Sequence, residues 1–180
     1  YARNQLVSTA LASNCDYILF LADDVLPPPN IFLMLSRHKK MLTTGVYWTR
    51  GYPTQPYLWR GLLKEPFTDW HVGEFLEVDF AGCDALLINT EIFKHMEPPY
   101  FSTDWAFDDG QKPSPIYTED FYFYTKAKKA GFTLYCDTMV QCKHQERSTG
   151  VMFGLTTEMP QALSKPFNTE SEEEISVADL

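Results

Sequence analysis

The chain has 180 residues, 44% hydrophobic and 22% charged, which suits a single globular domain able to bury a core. Its formal net charge is -9, and about -5 once the four glutamates of 170–174 are set aside, so a general nucleic-acid binder is excluded. No run reaches the roughly 18 to 20 apolar residues of a membrane-spanning helix, and no signal peptide opens the chain.

In chain order, residues 2–13 carry helical spacing, with Leu6, Ala10 and Leu11 on one face and Asn14 as a stop. Tyr17-Ile18-Leu19-Phe20-Leu21 reads as a buried strand covered on both faces, ending at Ala22-Asp23-Asp24-Val25 and a proline cluster. Asn30 can cap a helix over 31–41, and 43–49 suits a strand. The Pro-, Gly- and aromatic-rich stretch 51–70 predicts a loop with a short strand near 57–63. Strands follow over 75–80 and 84–88, then a short helix over 90–96 and a long loop over 97–117. Thr118 can cap a helix running to Ala130 with Gly131 beyond it, and 133–143 is a strand ending at His144. Residues 1–150 form the expected domain, and 151–180 an acidic tail, loosely attached or disordered.

Aromatic content of 15% fits a carbohydrate-stacking surface and a dense core equally well. Cys15, Cys83, Cys136 and Cys142 lack C-x-x-C spacing and read as small buried thiols of a reducing, cytoplasmic compartment, with peripheral membrane association allowed. A zinc site of Cys136, Cys142 and His144 is set aside, because regular alternation would hold 136 and 142 on one face about 20 Å apart.

Three polar clusters fall at element ends. Asp23-Asp24 is either a hard-cation site, with diphosphate oxygens as further ligands, or a turn pair after a strand. Glu119-Asp120 either complements a helix dipole or supplies a general base. His144, just past a strand, is either a metal ligand or a hydrogen-bonded histidine.

Taken in order, these segments resemble glycosyltransferases of the GT-A fold, in particular the family-2-like group that uses nucleotide-sugar donors. Ala2-Arg3-Asn4 looks like the start of the family's helix before the metal strand, and Tyr17–Val25 like that strand with its Asp-x-Asp-type motif. Phe80-Ala81-Gly82-Cys83-Asp84-Ala85-Leu86-Leu87-Ile88 is similar to the floor of the donor-sugar and acceptor pocket. Tyr117-Thr118-Glu119-Asp120-Phe121 resembles the motif holding the catalytic base of inverting members, and Lys143-His144 stands where many members place a metal- or diphosphate-contacting histidine.

The resemblance implies an α/β fold with a mostly parallel, Rossmann-like sheet flanked by helices, lacking the first βαβ segment of the family. It implies an Mn²⁺- or Mg²⁺-dependent, inverting transfer of a sugar from a nucleotide-diphosphate donor to a hydroxyl of a glycan, lipid or protein. Asp120 and Glu119 would serve catalysis, and Asp24, Asp23 and His144 the metal. Arg3, Asn4 and Asp23 would bind the donor nucleotide, and Gly82, Cys83, Asp84 and Trp48 the sugar or acceptor. Trp59 and Trp105 are further candidates for sugar stacking. Two departures stand against this pattern: Ala22 replaces a frequent aspartate, and the family's first βαβ segment, which holds most of its nucleotide-base pocket, is missing before the Arg3-Asn4 helix; the chain also opens on Tyr1 inside a helix, as a fragment would. A non-catalytic glycan- or partner-binding module of the same fold, or an inactive fragment, is the alternative, and a metal-dependent phosphohydrolase a third.

Overall fold

The computed structural model describes residues 2–61, 65–103 and 118–155. Five strands form the main sheet, in the order β1 (Tyr17–Leu21), β7 (Ala85–Asn89), β3 (Leu42–Val46), β8 (Leu134–Gln141) and β5 (Phe75–Val78). The protein is α/β, but the expected mostly parallel sheet is corrected: β3 and β8 make its one parallel pair, and the other three pairings are antiparallel. Consequently β1, β3 and β8 run one way and β7 and β5 the other.

Two cores lie on the two faces of this sheet. On one face α1 (Ala2–Ala12) and α3 (Glu119–Lys129) cover Ile18, Phe20, Leu86, Ile88, Leu134 and Cys136. On the other, α2 (Ile31–Ser36) covers Leu87, Val140 and Cys142. β1 is not covered on both faces along its length: its residues alternate between buried and part-exposed, and among the described residues it pairs only with β7. The buried stripe of α1 also differs from expectation. Val7 is fully buried while Leu6 is 54% exposed and Leu11 faces outward. Arg3, Val7 and Ala10 lie on one helical face, and the rotation that brings Arg3 to its partners turns Leu6 away.

Several boundaries move. α2 stops at Ser36, and Asn30 makes no side-chain cap. The expected strand 75–80 divides at Asp79 into β5 and β6 (Phe80–Ala81), which pairs with β4 (Leu58–Trp59). Thr90–His95 is a 3-10 helix capped by the Asn89 side chain, which accepts from the Glu91 N–H. Thr118 precedes α3 without a side-chain cap. The domain also runs past 150, because β10 (Met152–Phe153) pairs with β9 (Lys143–Gln145) and Phe153 is buried in the larger core. Trp105 and the tail from 156 lie outside the described residues. Cys15 is exposed, whereas the other three cysteines are buried, free thiols.

The β3–β8 pairing contains a bulge that matters for the site. Thr44 faces Cys136, yet Val46 faces Gln141, so β8 spends three more residues than β3 over the same span. An odd insertion reverses which side chains meet which face. Cys136 and Cys142 therefore pack in different cores, which corrects the assumption that both share one face. The bulge is filled by its own polar partners. The Asp137 carboxylate is buried and accepts from Arg37 (2.9 Å), His38 (2.7 Å) and the Met139 N–H (3.0 Å). Thr138 Oγ accepts from the N–H groups of Gly73 and Glu74.

Thr43, in the centre of this sheet, is 1% exposed and its hydroxyl has no hydrogen-bond partner among the described residues. Thr43→Val is expected to raise unfolding stability by about 1 kcal/mol in urea denaturation, since a buried hydroxyl without a partner carries its full desolvation cost. A loss of stability in that experiment would contradict the placement of this side chain.

Candidate active site

The carboxyl ends of β1, β3 and β8 open on one cleft of about 370 Å³, lined by residues that include Asp24, Tyr47, Arg50, Tyr57, Trp59, Gly82, Asp84, Asp120 and His144. That volume falls in the range of small-ligand sites. Each group arrives by a separate route. β1 ends at Leu21 and a turn leads into β2 (Val25–Leu26), which pairs with β9 so that Val25 faces His144. The Asp24 carbonyl accepts from the Gln145 N–H at 2.7 Å, which fixes Asp24 beside His144. β7 begins opposite the end of β1, with Leu21 facing Ala85, and so presents Asp84 at the same end of the sheet. Asp120 stands in the first turn of α3.

The floor of the cleft is organised by Arg3, whose side chain is 20% exposed. It donates to Asp84 Oδ1 at 2.8 Å and Asp120 Oδ1 at 2.8 Å, and it also pairs with Glu119. Burial raises the Asp120 carboxyl above the ordinary carboxylate range, and the nearby Asp84 pushes the same way, against the opposing pull of Arg3 and the Cys83 N–H. That N–H donates to Asp120 Oδ2 at 3.3 Å. The Tyr47 hydroxyl is held protonated by burial and by the charges of Asp84 and Asp120, and it donates to Asp84 Oδ2 at 3.1 Å.

Arg3 and Asn4, expected at a nucleotide, are used within the protein and do not line this cleft. The Asn4 side chain donates to the Phe101 carbonyl and accepts from the N–H groups of Tyr100 and Phe101, which anchors that segment to α1. Glu119 faces a smaller neighbouring cavity together with Arg3 and Asn4.

On the opposite wall, His144 is buried and its Nδ1 lies 2.7 Å from the Trp48 carbonyl. A carbonyl only accepts, so Nδ1 carries the proton. In the neutral ring Nε2 then presents its lone pair, 3.5 Å from Asp24 Oδ2. Metal-ligating histidines are characteristically oriented by a backbone carbonyl in this way. Among the described residues no three His, Cys, Asp or Glu side chains are grouped to hold a metal. Asp24 and His144 make a two-donor corner, which fits a hard cation that takes one or two carboxylates and completes its shell with substrate phosphate and water. Asp23 is not part of that corner: its side chain is 82% exposed and ion-paired with Arg147, which holds its carboxyl below the ordinary carboxylate range.

The remaining expected sugar contacts are redistributed. Trp48 is buried, with its indole N–H donating to Gln141 at 3.2 Å, so its carbonyl serves the site while its ring face does not. Trp59 instead lines the cleft, in an aromatic row in which Tyr47, Tyr57, Trp59 and Phe121 follow one another at centroid distances of 4.8, 5.9 and 5.2 Å. The Cys83 thiol is fully buried and burial raises it well above the ordinary range; it stays protonated and, with the backbone N–H of the same residue, hydrogen-bonds Asp120 from beneath the cleft. Gly82 lines the cleft, but its lack of a side chain is required elsewhere. A Cβ there would sit 1.5 Å from the Tyr47 hydroxyl oxygen and 2.4 Å from its Cζ. Tyr47, Arg50 and Tyr57 carried no sequence signal, since an arginine or tyrosine beside a Pro-rich loop has no distinctive spacing.

Two measurements check this geometry. Gly82→Ala is expected to cost about 1–3 kcal/mol by overpacking, and the penalty should shrink in a Tyr47→Leu background, as a double-mutant cycle would read. Arg3→Met should cost about 3 kcal/mol by leaving part-buried carboxylates without their counter-charge. Carboxyls raised in the folded state lose stability once ionised and regain it on protonation, so that deficit should narrow as the pH falls through the carboxylate range. A pH-independent deficit would rule out the electrostatic role.

No protein-family model matches the chain, and no curated protein matches it. Among solved structures, the crystal structure of A197 from STIV matches with a TM-score of 0.60 at 16% sequence identity, covering 88% of this chain and 76% of that one. At that identity the likeness extends to the fold: this chain and A197 share a mixed α/β architecture.

Proposed function

We propose that the protein is a glycosyltransferase of GT-A type that moves a sugar from a nucleoside-diphosphate donor to a hydroxyl acceptor with inversion. The observation that carries this reading is the convergence of Asp24, His144 and Asp120 on one cleft, from three elements far apart in the chain. The aromatic row supports a sugar, because apolar ring faces suit flat, hydroxyl-bearing rings.

In this mechanism Asp24 and His144 Nε2 are the residues that would hold the divalent cation, with the donor diphosphate completing its shell. Mn²⁺ or Mg²⁺, when bound, neutralises the negative charge that grows on the departing diphosphate. Asp120 faces the acceptor. As the acceptor oxygen forms its bond to the anomeric carbon, the bond from that carbon to the diphosphate oxygen breaks with its electron pair. The hydroxyl proton passes to Asp120. A carboxyl raised by burial is a stronger base than an exposed one, and Arg3 holds it in place without lining the cleft. Trp59 and Tyr57 offer faces on which a sugar ring can stack.

A non-catalytic glycan-binding module is the second reading, and the ion pair between Arg3 and Asp120 favours it by occupying one oxygen of the base. Turnover separates the two. With a panel of nucleotide sugars and Mn²⁺, Asp120→Asn is expected to lower kcat about 10²–10⁴-fold, and Asp24→Ala about 10²-fold or more. The acid limb of the wild-type rate should lie above the ordinary carboxylate value, activity falling as Asp120 is protonated. Equal turnover by wild type and both variants would sink the transferase reading, and sugar binding without turnover would favour the module.

A further inference from the structure

The cation corner already contains a positive charge supplied by the chain. Arg50, on the loop after β3, donates from Nη1 to Asp24 Oδ2 at 2.9 Å, the same oxygen that lies 3.5 Å from His144 Nε2. Its base is fixed: the Thr49 N–H donates to the Gln55 carbonyl at 2.8 Å, and Trp48 bridges to Pro56. Its side chain is 39% exposed and lines the cleft together with Tyr57 and Trp59, so its tip is held by the bond to Asp24 at the solvent edge. A carboxylate oxygen held by a guanidinium is a poor ligand for a second cation at the same place, since the two positive charges repel. A guanidinium released from a carboxylate beside a diphosphate finds another anion that can offer two oxygens to its planar fork.

We propose that Arg50 is an exchangeable counter-ion, which holds Asp24 in the free protein and moves to the diphosphate when a divalent cation takes Asp24 and His144. The exchange makes cation and diphosphate bind as a coupled pair. The free protein takes the bare cation weakly, and the diphosphate strengthens its binding by the same factor as the cation strengthens that of the diphosphate. The inference rests on the transferase reading of the cleft, but it concerns only the order and coupling of binding. It assigns Arg50 a positioning role toward the metal and a contact with the leaving group, neither of which follows from the sequence.

The test is binding of Mn²⁺ to the full chain, read from the electron paramagnetic resonance signal of the free ion, with and without inorganic pyrophosphate. In wild type, pyrophosphate should raise Mn²⁺ affinity. In Arg50→Gln, affinity for Mn²⁺ alone should rise about tenfold, and affinity of the Mn²⁺-loaded protein for pyrophosphate should fall about tenfold. The two changes have opposite signs, which a generally damaged fold does not produce. Arg50→Lys should lie between the two, and Arg60→Gln, which removes a charge from outside the cleft, should leave both affinities unchanged. Arg50→Gln that leaves both affinities at wild-type values, or weakens both, overturns the counter-ion role while the cation site stands. Wild type that binds neither Mn²⁺ nor Mn²⁺ with pyrophosphate overturns this proposal and the transferase reading together.

Discussion

One guanidinium holds the candidate site together. Arg3 reaches Asp84, Glu119 and Asp120 across sequence separations of 81, 116 and 117 residues, so the first helix, the start of β7 and the start of α3 meet at a single side chain. The energetics favour such a solution. Two like charges about 4 Å apart repel by roughly 4 kcal/mol at an effective dielectric near 20, and three part-buried carboxylates with no counter-charge would oppose the packing of these elements. A planar fork with five donors can satisfy several carboxylates from one position, which an ammonium group does less well. The same contact sets the rotation of α1. Arg3 inward places Val7 inward, and the larger apolar residues Leu6 and Leu11 are left outside.

Strand direction does the rest of the positioning. Since β1, β3 and β8 point the same way, their ends collect Asp24, Arg50 and His144 at one edge of the sheet, while the reversed β7 begins there with Asp84. The bulge in β8 is part of this arrangement. Three extra residues re-aim the strand before it reaches β9, and the buried Asp137 with its partners Arg37 and His38 keeps that irregularity in place. The fold thus places a second buried carboxylate, Asp137, away from the cleft, and there Arg37 supplies the positive charge.

Much of this was legible from the residues. The Tyr17–Leu21 strand, the Glu119 helix and the Leu134 strand stand where apolar runs and an acidic first turn put them, and with them came Asp24, Asp120 and His144. Local pattern failed where a contact distant in sequence decided the outcome. Asp23 and Asp24 are indistinguishable neighbours in the chain, yet antiparallel pairing of β2 with β9 turns one toward His144 and leaves the other with Arg147. Trp48 and Trp59 are likewise equivalent by composition, yet the bridge of Trp48 to Pro56, its bond to Gln141 and its packing against Trp70 bury the first. Sheet direction is hidden for the same reason. The short apolar runs of β1 and β7 suit either orientation, and their register is visible only once they pair.

The corner formed by Asp24 and His144 stands on the ladder of β2, β9 and β10, strands of two or three residues each, whereas the floor formed by Asp84 and Asp120 is tied to the five-stranded sheet and its larger core. Short ladders open at lower free energy than a packed core. The two halves of the cleft therefore differ in persistence: warming or mild denaturant opens the Asp24–His144 corner while the carboxylate floor is still folded, so the cleft loses one wall before the protein loses its core.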